Sequence, residues 1–200
     1  MSRQMWDERY AAQDYTYGME PNDLVRDEAH RIPEGRVLCL AEGEGRNAVF
    51  LARLGYQVTA VDFSSVGLRK AERLAREREV SIEIIEADLA RFDLGTGLWS
   101  GIVSIFAHTL PEIRRRVHAA IPAALCPGGI LILEAYRPRQ LELGTGGPKD
   151  VALLPTLDEL RTELAGLELL IARETDREIH EGRAHSGPSA TVQVVGRRRT

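Results

Sequence analysis

The sequence predicts an α/β domain on a doubly wound, seven-stranded sheet, mostly parallel, with its final pair antiparallel. Three observations lead there. Apolar runs of strand length alternate with helical patterns through residues 36–135. A glycine turn follows the first run directly, in Val37-Leu38-Cys39-Leu40-Ala41-Glu42-Gly43-Glu44-Gly45-Arg46-Asn47-Ala48. Finally, no helical pattern separates the last two strand runs, 167–173 and 191–195, and adjacent strands without a crossover pair antiparallel.

The elements follow in order. Residues 2–12 form a short amphipathic helix with Met5, Trp6 and Tyr10 on its apolar side. Residues 14–18 are loop, Pro21 opens a second helix through about His30, and Pro33-Glu34-Gly35 breaks the chain. Residues 1–34 are thus expected to cap a core spanning 35–200, the whole being one domain. In the core, 36–41 is a strand, and 46–54 a helix ended by Gly55. Residues 57–61 form the next strand, and Ser64 or Ser65 caps a charged helix running to 78. Strands 82–86 and 101–106 come next, then helix 111–125, and Gly128-Gly129 turns the chain into strand 130–135. Residues 157–165 read as the last helix. The connections 137–155 and 176–189 are long, and loops of such length are usually functional or disordered. The first holds Gly144-Thr145-Gly146-Gly147-Pro148; the second holds Glu181, His185 and Gly187.

Totals narrow the function. A chain of 200 residues suits one domain. A net charge of −4 argues against a general nucleic-acid binder, and Arg197-Arg198-Arg199 reads as a solvated tail. Cys39 lies in an apolar strand and Cys126 precedes Pro127-Gly128-Gly129; neither suggests a disulfide or a zinc site. A reducing cytoplasm is the simpler expectation. The N-terminus is too polar for a signal peptide, and no apolar run reaches membrane-spanning length. The expected molecule is cytoplasmic, a monomer or homodimer, without metal, membrane or nucleic-acid partner.

The glycine turn carries the chemistry. Gly43 and Gly45 allow close backbone approach to a ligand. Free N–H groups at the following helix start favour an acidic ligand group. Asp62 ends the second strand, where a carboxylate can accept hydrogen bonds from ribose hydroxyls. Together they imply a cofactor with an adenosine ribose at the open end of the sheet.

Several motifs in sequence share a likeness: Trp6-Asp7-Glu8-Arg9-Tyr10, Tyr17-Gly18-Met19-Glu20-Pro21-Asn22, Gly43-Glu44-Gly45-Arg46-Asn47 and Val61-Asp62-Phe63-Ser64. Ala87-Asp88-Leu89, Pro127-Gly128-Gly129 and Glu181-Gly182-Arg183-Ala184-His185-Ser186-Gly187 extend it. The chain resembles class I S-adenosylmethionine-dependent methyltransferases with a Rossmann-like fold, most specifically the tellurite-resistance and thiopurine methyltransferase-like branch. The resemblance implies S-adenosylmethionine as cofactor, S-adenosylhomocysteine as product and a small-molecule acceptor, with soft sulfur, selenium or tellurium nucleophiles among the options.

It also implies site residues. Tyr17, Ala41, Glu42, Gly43, Gly45 and Asn47 would surround the methionine and ribose, with Asp62 and Ser64 at the sugar, while Arg46 either approaches an anionic group there or pairs with Glu44 at the surface. Phe63 is either a purine face or core. Asp88, with Ala87 and Leu89, either meets adenine or is a turn aspartate. Phe106 and Ala107 line the cofactor wall. His108 and His185 are the catalytic candidates, although His108 serves equally as a helix cap. Tyr136, Arg137 and Glu181 are assigned to the acceptor.

Two places depart from the family pattern. Cys39 stands where an acid is usual and Ala41 where a glycine is usual. Glu42 would supply the compensating carboxylate for the methionine amino group. Two alternatives remain at this stage: an NAD(P)-dependent oxidoreductase, since Gly43–Ala48 fits G-x-G-x-x-A, and a non-catalytic cofactor-binding scaffold.

Overall fold

Side-chain alternation along the first strand sets the layers. In the computed structural model, which describes residues 2–200, β1 (Arg36–Leu40) places Leu38 and Leu40 in one apolar cluster and Val37 and Cys39 in another. Successive strand residues point to opposite faces, so β1 is covered on both sides. The other strands are β2 (Gln57–Asp62), β3 (Glu83–Glu86), β4 (Trp99–Ile105), β5 (Leu125–Tyr136), β6 (Glu168–Glu181) and β7 (His185–Arg197). They form one seven-stranded sheet in the order β3-β2-β1-β4-β5-β7-β6. The pairs among β1 to β5 are parallel, and β7 runs antiparallel to both neighbours. This is the Rossmann-like, doubly wound sheet expected, with β7 inserted beside the edge strand.

The helices are α1 (Arg3–Tyr10), α2 (Asp23–Glu28), α3 (Arg46–Arg53), α4 (Ser65–Glu77), α5 (Pro111–Ala124), the single turn α6 (Gln140–Leu143) and α7 (Leu157–Glu163). Leu24 and Val25 of α2 and Ala48 and Leu51 of α3 cover the Val37 face. Val117, Ile121 and Ala124 of α5 and Leu160 of α7 cover the Leu38 face. Among the described residues no helix is long and apolar enough to cross a membrane. Side-chain oxygens start several helices by accepting orphan N–H groups. Ser64 accepts from Gly67 N–H, and Thr156 and Glu159 form a capping box. Asn22, not Pro21, caps the second helix, accepting from Leu24 and Val25 N–H. Its side-chain oxygen satisfies two donors, which leaves Pro21 outside.

The largest difference from expectation lies near the end of the chain. The expected 176–189 loop is the outer part of a long hairpin, β6 reaching Glu181 and β7 starting at His185. Only Gly182 to Ala184 turn, with Gly182 at φ +67°. Beyond Glu174 the inward positions of β6 are Thr175, Arg177, Ile179 and Glu181. Charged groups there obscure the apolar alternation that marks a strand.

Gly45 shows how tightly the turn is set. At φ +91° it precedes α3, and a Cβ there would lie 2.5 Å from Ala71 Cβ and 2.7 Å from Ala71 Cα. Gly55, at φ +96°, has nothing within 4 Å of the same position. Gly45→Ala is expected to cost about 3 kcal/mol, combining left-handed strain with overpacking of α4, while Gly55→Ala costs about 1 kcal/mol. Urea unfolding of both variants measures the difference.

Candidate active site

A cavity of about 1090 Å³ opens at the carboxyl ends of the parallel strands, where ligands sit in open α/β sheets. The tip of β1 contributes Ala41, Glu42, Arg46 and Asn47; that of β2, Asp62 and Phe63; that of β3, Ala87, Asp88 and Leu89. Phe106, Ala107 and His108 follow β4 on the far wall. Tyr17, the 146–150 segment and His185 close the top. The fold thus gathers these sequence-assigned residues around one space.

Six others stand off the wall. Gly43 faces Tyr10, whose hydroxyl would lie 2.5 Å from an added Cβ, and Gly45 faces α4. At both glycines the missing side chain leaves room for Tyr10 or for α4. The Ser64 hydroxyl is occupied by Asp7 and Gly67. Tyr136 is fully buried behind Phe106, with ring centroids 4.6 Å apart. Arg137 pairs outward with Glu174 and Asp176. Glu181 is buried among Arg46, Asn22 and Arg177.

The expectation of free N–H groups at the start of α3 is corrected. Glu42 Oε1 accepts from Asn47 N–H at 2.9 Å and from Ala48 N–H at 2.8 Å. The protein thus supplies its own anion to that helix start. Glu42 Oε2 has no protein partner and faces the cavity side. Burial raises the Glu42 carboxyl to about 7, against an ordinary 4.5, despite the two N–H groups that oppose the shift. Asp62 is similar: Oδ2 accepts from Gly43 N–H and Oδ1 from Ser64 N–H, and burial raises it to about 6. Each oxygen keeps a further lone pair for a ligand donor. Arg46 gives Nη2 to Glu181 at 2.7 Å, but its buried Nη1 has no partner.

The other half of the cavity is aromatic. His185 lies 4.5 Å from Tyr17 and 4.6 Å from Phe106 between ring centroids. Phe106 has φ +52°, outlying for a bulky side chain. Its N–H reaches Glu134 O, and its own carbonyl accepts from His108 N–H, so backbone bonds on both sides hold it. His108 Nδ1 donates to Leu153 O at 3.1 Å, so the ring is anchored and its Nε2 is left buried without a partner. Burial holds its pKa down at about 4, and it is neutral at pH 7.

The sequence reading missed a supporting network. Glu134 accepts from Asn22, Arg177 and Gln193, and Asn22 also donates to Glu181 at 2.9 Å. Buried Lys70 pairs with Glu44 and donates to the carbonyls of Ala12 and Asp14. A lone charge in an apolar strand, such as Glu134 in Ile130–Tyr136, was the available signal.

Residues 37–129 match a family model described as a methyltransferase domain. No curated protein matches the chain in sequence. Among solved structures, one described for the conversion of a disulfide bond into a thioacetal group during echinomycin biosynthesis is 21% identical, TM-score 0.78, over 98% of this chain and 92% of that one. TehB from Haemophilus influenzae is 18% identical, TM-score 0.73, over 98% and 67%. The N-methyltransferase NodS from Bradyrhizobium japonicum WM9, solved with S-adenosyl-l-homocysteine, is 14% identical, TM-score 0.70, over 99% and 98%. What these likenesses share with this chain is the fold, that of S-adenosylmethionine-dependent methyltransferases.

Glu42 sets a pH dependence. The folded carboxyl holds its proton to about pH 7, the unfolded one only to about 4.5. The folded state therefore binds more protons across that window. This contribution to stability is complete below 4.5 and is lost as pH rises through 7. His108, held near 4, acts in the opposite sense below pH 6.5, so the comparison between variants is the informative one. Between pH 5 and pH 8, Glu42→Gln should gain on the wild type by about 2 kcal/mol, read from denaturant curves at both pH values.

Proposed function

We propose that the protein is an S-adenosylmethionine-dependent methyltransferase acting on a small-molecule acceptor. One observation carries this reading. Of the three buried carboxylates that line the cavity, Glu44 is paired with Lys70, whereas Glu42 and Asp62 are held only by backbone N–H groups, and the buried Arg46 Nη1 is free. The open positions therefore call for a cation beside Glu42, hydroxyls beside Asp62 and an anion beside Arg46. A ligand with an amino-acid end and a ribose offers that set.

The residues fit the cofactor in detail. Glu42 Oε2 would take the ammonium and Arg46 Nη1 the carboxylate. Asp62 would take the ribose hydroxyls through its remaining lone pairs. Phe63 and Leu89 offer apolar faces for the purine, and Asp88 a carboxylate for its amino group. S-adenosylmethionine, when bound, supplies an activated methyl group on a sulfonium. The chain's own contribution is alignment and dryness. Orientation of the acceptor is worth several kcal/mol, on the order of 7–11 for ideal geometry. Tyr17 and Trp6 line the cavity, and an aromatic face attracts a cation by about 0.5–2 kcal/mol, although Arg9 already lies over the Trp6 ring at 4.7 Å. The N-terminal segment and the β6–β7 turn exclude water together, since Ala184 N–H donates to Thr16 O and Gly182 abuts Gly18.

The oxidoreductase alternative loses ground on topology. The dinucleotide fold uses six parallel strands in the order 3-2-1-4-5-6, whereas here antiparallel β7 lies between β5 and β6.

Titration calorimetry with S-adenosylhomocysteine and NAD tests the reading. Micromolar affinity for S-adenosylhomocysteine is expected, with no heat from NAD. Asp62→Ala should weaken binding at least tenfold, about 1.4 kcal/mol. A wild-type protein that takes NAD and leaves S-adenosylhomocysteine unbound would overturn the proposal.

A further inference from the structure

The acceptor half of the cavity contains a side-chain pair that the cofactor does not need. We infer that His185 and Glu181 form a base dyad, in which His185 Nε2 removes a proton from an acceptor that arrives as an O–H, S–H or N–H compound. The inference rests on the methyltransferase reading and adds the chemical class of its acceptor.

The hairpin itself makes the pair. Glu181 and His185 are cross-strand partners at the turn end of β6 and β7. His185 Nδ1 lies 3.8 Å from Glu181 Oε2, buried and without a hydrogen-bond partner. Nε2 bonds to no protein group and is not among the buried unpartnered atoms, which leaves it for the cavity that the ring lines. Catalytic hydrogen bonds are often long before the ligand binds and tighten on closure.

Glu181 cannot turn away. Arg46 Nη2 holds Oε2 at 2.7 Å and Asn22 holds Oε1 at 2.9 Å, with Arg177 at 3.5 Å. Although burial opposes it, His185 and Arg46 beside the carboxyl hold Glu181 well below the usual carboxylate range, so it is ionised, and an Nδ1 that faces its oxygens is the ring nitrogen to carry the proton. Nε2 is then the lone pair. Burial and Arg46 lower the His185 pKa, while Glu181 and Glu134 raise it. Tyr17, Phe106 and Tyr136 pack around the ring, and His108 stands across Phe106. A resting neutral imidazole with a fixed carboxylate behind it is the arrangement a proton acceptor requires. His108 has a backbone carbonyl in that place and no counter-charge, which makes it the poorer base.

The balance is simple. As the acceptor's O, S or N gains the methyl carbon, the sulfonium sulfur keeps the electron pair of the broken C–S bond. The displaced proton goes to His185 Nε2, and Glu181 offsets the imidazolium charge. A thioether, a selenide or a tertiary amine has no proton to give and leaves the dyad without a task. His185 is the catalytic residue here, and Glu181 the positioning one.

The test begins with the full chain, labelled with ¹⁵N-histidine and saturated with S-adenosylhomocysteine. Long-range ¹H–¹⁵N spectra at pH 7 should show His185 as the Nδ1–H tautomer, and Glu181→Gln should erode that preference. An Nε2–H tautomer in the wild type would overturn the dyad, even if Glu181→Gln fails to fold. In turnover with a panel of thiols, phenols and ring N–H compounds, His185→Asn should lower kcat at least 100-fold with KM within about threefold. Glu181→Gln should shift the acid limb of the kcat profile to lower pH. Equal rates for His185→Asn and wild type, or turnover confined to proton-free thioethers and amines, would also refute it. Calorimetry separates the two levels: His185→Asn should still bind S-adenosylhomocysteine, whereas failure of the wild type to bind it removes the cofactor reading itself.

Discussion

Five carboxylates are buried at or beside the carboxyl end of the sheet: Glu42, Glu44, Asp62, Glu134 and Glu181. Burying an unpaired charge is expensive, so each must find a partner. Three find cations. Glu44 has Lys70, Glu134 has Arg177 and Glu181 has Arg46. These pairings bring distant segments together. Lys70 fastens the chain after α1, Arg177 fastens the outer hairpin to β5, and Arg46 joins the turn after β1 to that hairpin. The roof over the strand tips follows from charge neutralisation as much as from apolar packing.

The two carboxylates without a protein cation, Glu42 and Asp62, both line the cavity, beside the Lys70-paired Glu44. Backbone N–H groups alone do not offset their burial, and both have raised pKa values, about 7 for Glu42 and about 6 for Asp62. Satisfied pairs build the enclosure, and the unsatisfied pair marks where a ligand completes it. The backbone shows the same concentration of cost. Of the three described non-glycine residues in left-handed geometry, Ala41 at φ +49° and Phe106 at φ +52° line the cavity, and Glu79 lies outside it. Strain of this kind persists where surrounding structure over-determines it, and it clusters at functional sites.

Much of the fold was legible in the sequence because β1 to β5 and α3 to α5 obey local rules. Apolar strands such as Val37–Leu40 and Ile130–Leu133 stand out by composition, and Ser64 and Gly55 mark helix ends. The outer hairpin was not legible because its inward positions, Arg177 and Glu181, are polar. Their partners, Glu134 and Arg46, lie 43 and 135 residues away. Long-range charge pairing leaves no periodic trace in a single chain. The same limit applies to the site. Asp62 and Phe106 could be placed at strand tips from local pattern, but the burial of Tyr136 and the outward pairing of Arg137 depend on how β5 meets β7. The two glycines were read as a cradle for ligand, and their missing side chains also make room for Tyr10 and Ala71. A glycine turn shows that something approaches closely; the sequence does not say whether it is a ligand or another part of the chain.

The departures at Cys39 and Ala41 have a physical basis. Cys39 is wholly buried in the cluster on the α2 and α3 face, where burial and Glu42 raise its thiol well above the usual range. It is a packing residue. An acid at 39 would be aimed into apolar side chains unless the turn offered it donors. Here the donors at the start of α3 are already taken by Glu42, three residues further on. Moving the carboxylate from the strand to the turn keeps the helix start satisfied and brings one carboxylate oxygen to the cavity wall. The departures at 39 and 41, with the carboxylate at 42, are therefore a coherent rearrangement. The three positions should be judged as a set, since restoring an acid at 39 while Glu42 remains would crowd two carboxylates onto one helix terminus.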